Sequence, residues 1–180
     1  MFFKVSETVV MKTSRIATRK ILWLACWAVL AGSSEGVNVL NQIGPVTSYV
    51  LGGQSTISQI FTDTSAYDCM AIDDFTVSSS ELRVTNVSAL FQAYAGFAMF
   101  GNVAGYQLSF FSAPDAAGSD LLGDVGSLLV ISGGGASVIQ VNDDYGLVSL
   151  NVDFTLPAAG TYWVGVAPVA DAGLASTLLP

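Results

Sequence analysis

The chain has 180 residues, enough for one domain plus a targeting segment. Apolar residues make up 52% and charged residues 11%, so a core is easily built, and charge-driven disorder and long charged helices are excluded. There is no histidine. That removes Ser-His-Asp and Cys-His catalysis and histidine-based zinc sites.

The N-terminal stretch differs in kind from the rest. "MKTSRIATRK" (11–20) carries four basic residues and no acid, and "ILWLACWAVLA" (21–31) is an unbroken apolar run. "GSSEG" follows. This is the order of n-region, h-region and cleavage site in a secretory signal. Val29 and Ala31 suit the −3 and −1 positions, so residues 1–31 are expected to be a leader cut after Ala31, with translation starting at Met1 or Met11. The apolar run is too short for the ~20 residues that span a bilayer.

Loss of residues 1–31 would remove every basic residue except Arg83 and, of the fourteen acids, only Glu7. Thirteen acids then face one base, a net charge of −12. Such a surface repels nucleic acid and anionic membranes. With no lysine left, Schiff-base chemistry and a phosphate-gripping lysine are also excluded. Cys69 is the only thiol beyond residue 31, so no intrachain disulfide is expected; it reads as a small buried apolar residue.

Residues 37–180 carry period-2 patterns and turn punctuation and no long helix, and the clear strand candidates begin at 57. "ISQIF" (57–61), "MAIDDFTV" (70–77), "LRVTNVSALFQAY" (82–94) and "GYQLSFFSA" (105–113) come first. In the third, Leu82 and Val84 share one parity and Val87, Ala89 and Phe91 the other, which predicts a β-bulge near Thr85 and Asn86. "LLGDVGSLLV" (121–130) reads either as a strand pair or as an irregular edge. "SVIQV" (137–141) turns through "NDDYG" (142–146) into "LVSLNVDFTL" (147–156), a hairpin. Val148, Leu150, Val152 and Phe154 there alternate with polar residues, the mark of a sheet with one wet face. "GTYWVGVAPV" (160–169) follows a Pro/Gly turn. The expected fold is all-β, an antiparallel two-sheet β-sandwich of jelly-roll type spanning 57–180, with 32–56 as a lead-in that holds at most an edge strand.

"AIDDFTV" (71–77), "YQLSFFSAPDAAGSDLLG" (106–123) and "FTLPAAGTYWVGV" (154–166) resemble the secreted bacterial β-sandwich domains of sorted or anchored exoproteins, the PEP-CTERM type. The resemblance covers roughly residues 68–168. It implies an extracytoplasmic or cell-surface address and no reaction. Such domains often precede a Pro-Glu-Pro sorting tail, whereas this sequence runs to "ASTLLP" without one.

The chemistry left open is that of acids and aromatics. Calcium takes six to eight oxygens, and Asp73, Asp74, Asn142, Asp143 and Asp144 are the candidate ligands. Asp73 shares its parity with Ala71, Phe75 and Val77, and a carboxylate aimed at a core must be paired or hydrogen-bonded. Two solutions are expected for it. One is contact of Asp73 or Asp74 with Arg83 or a bound cation. The other is a place at the sandwich rim, where the side chains accept backbone N–H bonds and meet water. Trp163 and Tyr162 are the candidates for stacking on a sugar, and as strand neighbours only one of them can face outward. "FQAYAGFAMFG" (91–101) is either core or an exposed aromatic patch. The reading is a non-catalytic structural or binding module whose partner is an extracellular polysaccharide or a surface protein. The alternative is a carbohydrate-binding module or an Asp-dependent glycoside-processing enzyme.

Overall fold

The computed structural model describes residues 2–7, 37–41, 58–78, 80–92, 103–116, 121–132, 134–140 and 145–171. Ten strands build two sheets: β1 (Phe2–Glu7), β2 (Val37–Asn41), β3 (Ile60–Phe61), β4 (Ile72–Val77), β5 (Leu82–Gln92), β6 (Val103–Phe111), β7 (Gly126–Ile131), β8 (Ala136–Gln140), β9 (Tyr145–Leu156) and β10 (Gly160–Ala170). A single 3-10 turn, Ser65–Tyr67, is the only helical element among the described residues.

The first sheet runs β2-β1-β5-β9-β8 and the second β3-β10-β6-β7, with β4 also paired to β10. All described strand pairings are antiparallel except β3 with β10, and an isolated parallel bridge joins Ser132 to Ala136. Only β6–β7 and β8–β9 are same-sheet hairpins in the 72–170 region; the chain crosses between sheets at β4–β5, β5–β6, β7–β8 and β9–β10. The fold is thus the expected all-β sandwich. Its first sheet also takes in β1, from the leader-like region, and β2, which forms the sheet's edge.

The alternation of β9 places Val148, Leu150 and Leu156 in the core with no exposure, and Val152 and Phe154 half-buried against it. From the opposite sheet come Leu108, Phe110, Val164 and Val166, all fully buried. Four aromatics organise the interior. Phe110 stacks on Phe154 at 4.7 Å and meets Phe75 edge-on at 6.5 Å, and Tyr162 lies 6.1 Å from Phe75. Tyr106 is buried beside Phe91, and burial pushes its phenol up to about 12.

The register breaks where the sequence predicts, at Thr85 and Asn86, but the extra residue lies on β9 and not on β5 as expected. Val84 pairs with Phe154 and Asn86 with Asn151, so two steps along β5 match three along β9, and β9 supplies the additional residue. Asn86 holds the irregularity. Its Nδ2 donates to Ser149 Oγ (2.9 Å), Leu150 O (3.2 Å) and Asn151 Oδ1 (3.2 Å), and its Oδ1 accepts from Ser88 Oγ (3.1 Å). This network meets the polar demand that a disrupted ladder creates. Among the described residues, every buried side-chain nitrogen and oxygen has a hydrogen-bond partner.

The ambiguous segment 121–130 resolves into a wrapped loop and one edge strand. Residues 121–125 fold over Phe110: Val125 N donates to Phe110 O (3.2 Å) and Ser109 Oγ to Leu121 O (3.0 Å). Asp124 ties this loop to the end of β6, accepting from Ser112 N (2.8 Å) and from Ser112 Oγ. Those two bonds hold its carboxyl below the usual aspartate range.

Candidate functional site

Each acid singled out by the sequence has a definite place. Among the described residues β4 pairs with β10, with Asp73 opposite Val164 and Asp74 opposite Trp163. Ala71, Phe75 and Val77 are buried, and Asp73, of the same parity, is half-buried, while Asp74 is exposed. Within β4 itself only Phe75 and Val77 are buried. Asp73 sits at the rim, and its Oδ1 accepts the backbone N–H of Asp74 at 3.0 Å. That is the second of the two expected solutions. The two carboxylates diverge across the strand, so they do not form a joint ligand set. Asn142, Asp143 and Asp144 lie outside the described residues, as does most of 91–101. Among the described residues, no three acids, cysteines or histidines are grouped closely enough to hold a metal ion.

The structure corrects the expected ion pair. Arg83 is bound by Asp153, through Nε to Oδ1 and Nη2 to Oδ2, each at 2.7 Å, and not by Asp73 or Asp74. The reason is topological. β4 and β5 adjoin in sequence but belong to different sheets, so Arg83 points away from β4 on the wet face of the first sheet. There it pairs in register with Thr155, and Asp153 is the diagonal neighbour on the same face. The fork geometry is bidentate. It holds the carboxyl of Asp153 below its ordinary value and raises the guanidinium. Both partners are exposed, however, and exposed pairs contribute little. Because the Asp153 pKa is lowered on folding, any contribution is present above the ordinary aspartate pKa and lost as pH falls through the lowered one. Arg83→Ala is expected to melt within the scatter of wild type at neutral pH and physiological salt, as differential scanning calorimetry would read. A drop of many degrees would mean that the pair anchors β5 to β9.

Tyr162 and Trp163 alternate as a strand requires. Tyr162 is in the core, its ring near Phe75 and its hydroxyl donating to Ala158 O at 3.1 Å, so it offers no stacking face. Trp163 is half-buried on the outer face of the second sheet, in register between Asp74 and Phe111. Cys69 is half-buried and its backbone pairs with that of Gln59, while burial pushes its thiol up. It is therefore less buried than the sequence reading expects, with burial still disfavouring its thiolate.

The surface feature that the sequence did not single out lies where β7 and β8 end their sheets. Leu129, Ile131 and Ile139 are 58%, 63% and 59% exposed. β8 covers β9 only as far as Leu150, and beyond that point an open groove of about 370 Å³ runs between β7 and β9. Residues 128–131, 134–135 and 151–153 line it. Its floor and β7 wall are aliphatic, and Asn151 and Asp153 supply the polar side. The signal for this surface was present in "LLVI" (128–131), a short apolar run without alternation. Such a run needs apolar contact on both faces, and here only the inner face, Leu128 and Val130, packs against the core.

Among the described residues, no helix is long and apolar enough to cross a membrane. The chain matches no family model, no curated protein and no solved structure.

Proposed function

We propose that this chain is a secreted, non-catalytic β-sandwich module that works by contact, in a structural or binding role at a bacterial surface or in its matrix. The leader-like stretch 11–31 supports the address, and the acidic charge beyond it suits an extracytoplasmic surface. The observation that carries the contact role is the pair of exposed aliphatic edges. Leu129, Ile131 and Ile139 leave apolar area in water on two adjacent sheet ends, beside an open groove. Exposed apolar edges of this kind are where strands and apolar side chains of partners dock. Aliphatic rather than aromatic lining favours a surface protein over a polysaccharide, since sugars stack on aromatic rings.

The test uses the chain exported through its own leader. It is expected to be retained on an envelope preparation of the producing cell. A Leu129→Asp/Ile131→Asp variant is expected to wash off while melting at the wild-type temperature, because both side chains already face water. Unchanged retention of that variant would sink the assignment of the contact face. Turnover of a panel of glycoside substrates by the wild type would sink the non-catalytic reading, and capture on a glycan array would move the partner to polysaccharide.

A further inference from the structure

The strand that completes the first sheet comes from the segment that export would remove. β1 is sandwiched between β2 and β5, with Phe2 opposite Leu90, Phe3 opposite Ala89 and Val5 opposite Val87. With β1 in place, Val87, Ala89 and Leu90 are 0%, 1% and 2% exposed. Those side chains belong to β5's own packing, whereas β1 occupies its backbone edge, and cutting after Ala31 would leave that edge of β5, an eleven-residue strand, without its partner. A long edge with unpaired N–H and C=O groups and apolar side chains is a template for another strand.

We infer that the β5 edge is a strand-exchange site, covered by Phe2–Glu7 while the leader is attached and by Val37–Asn41 once the leader is cut. The inference rests on the export reading above. Three observations select β2 as the occupant. It already pairs with β1, one place further out, so the move is about one interstrand spacing, ~4.8 Å. It belongs to the same chain, so it competes at the effective concentration of a tethered segment, about millimolar, which a second molecule rarely reaches. A second copy pairing β5 to β5 would also bring together two chains of net charge −12. β2 is antiparallel to β1 and β1 to β5, so a simple inward shift gives a parallel pair. The other sheet already accepts one, β3 with β10.

A disulfide distinguishes the two arrangements. β2 and β5 are two places apart when β1 lies between them, about 9.6 Å, beyond the ~7 Å that a disulfide bridges; side by side they are within reach. The full sequence carrying Cys69→Ala is secreted from an exporting host, and the product is N-terminally sequenced. Asn38→Cys is combined in turn with Asn86→Cys, Ser88→Cys or Leu90→Cys, since the new register selects which of them is opposite. One pair is expected to bridge within the monomer under mild oxidation, and an excess of the peptide Phe-Phe-Lys-Val-Ser-Glu is expected to slow the bridging several-fold. Loss of Phe2–Glu7 with no bridge in any folded variant, or a bridge between chains instead, overturns the exchange while leaving the export reading intact. Retention of Phe2–Glu7 in the exported protein overturns both.

Discussion

Phe110→Ala is expected to be the most damaging single truncation in the sandwich, lowering stability by about 3–5 kcal/mol. Phe110 is fully buried in β6, the strand between β10 and β7. Its ring joins the two sheets, stacking at 4.7 Å and 12° on Phe154 of the first sheet and meeting Phe75 of the second edge-on. Truncation therefore loses the transfer free energy of the ring, two aromatic contacts and the packing between layers. Phe154, the stacking partner, is itself only half-buried, so it cannot close fully over the space left. For a domain of this size a loss of that magnitude lowers the melting temperature by about ten degrees or more. Phe110→Leu is expected to recover part of the loss by refilling some of the volume. The check is urea denaturation of wild type and both variants with a common slope. A loss below about 1 kcal/mol for Phe110→Ala would mean that the sheets do not pack through this ring.

Local alternation carried most of the fold into view. β9 was readable because Val148, Leu150, Val152 and Phe154 face one layer while Ser149, Asn151, Asp153 and Thr155 face water or a neighbour. The β5 irregularity was readable because a change of parity leaves a mark in the sequence itself. What was not legible depends on which sheet a strand joins. The four residues between Val77 and Leu82 gave no sign that β4 and β5 part company, so Arg83 was matched to the nearer aspartates instead of Asp153, seventy residues on. β1 was hidden for the same reason. "FFKVSE" has no local pattern that outweighs the basic and apolar stretch after it, and only its pairing with β5 reveals it as a strand. The β7 edge was half-legible: the lack of alternation was visible, but its cause, an outer face left open beside the groove, was not.

Gly123→Ala is expected to rank next, at about 1–3 kcal/mol, for a reason opposite to that for Phe110: it adds an atom where there is no room. A Cβ at Gly123 would fall 2.0 Å from the backbone oxygen of Phe110 and 2.7 Å from its carbonyl carbon and its nitrogen. Those atoms belong to the ladder of an interior strand and cannot swing aside. The loop must lift instead. Lifting it breaks the bond from Gly123 N to Ser127 Oγ (2.7 Å) and from Val125 N to Phe110 O (3.2 Å), and strains that from Ser109 Oγ to Leu121 O (3.0 Å). Ser109 is fully buried and keeps Ser127 Oγ (3.1 Å) as a second partner, so the cost falls mainly on the two backbone N–H groups that the lifted loop leaves unbonded. Gly165→Ala is the control. Its Cβ would also collide, with the sulfur and Cγ of Met70, a flexible side chain that can rotate away, and it would press on Ile72 Cγ2 at 3.0 Å. The expected order is therefore a large loss for Gly123→Ala and a smaller one for Gly165→Ala, the latter relieved further by Met70→Ala. Equal melting temperatures for Gly123→Ala and wild type would show that residues 121–125 do not lie against Phe110.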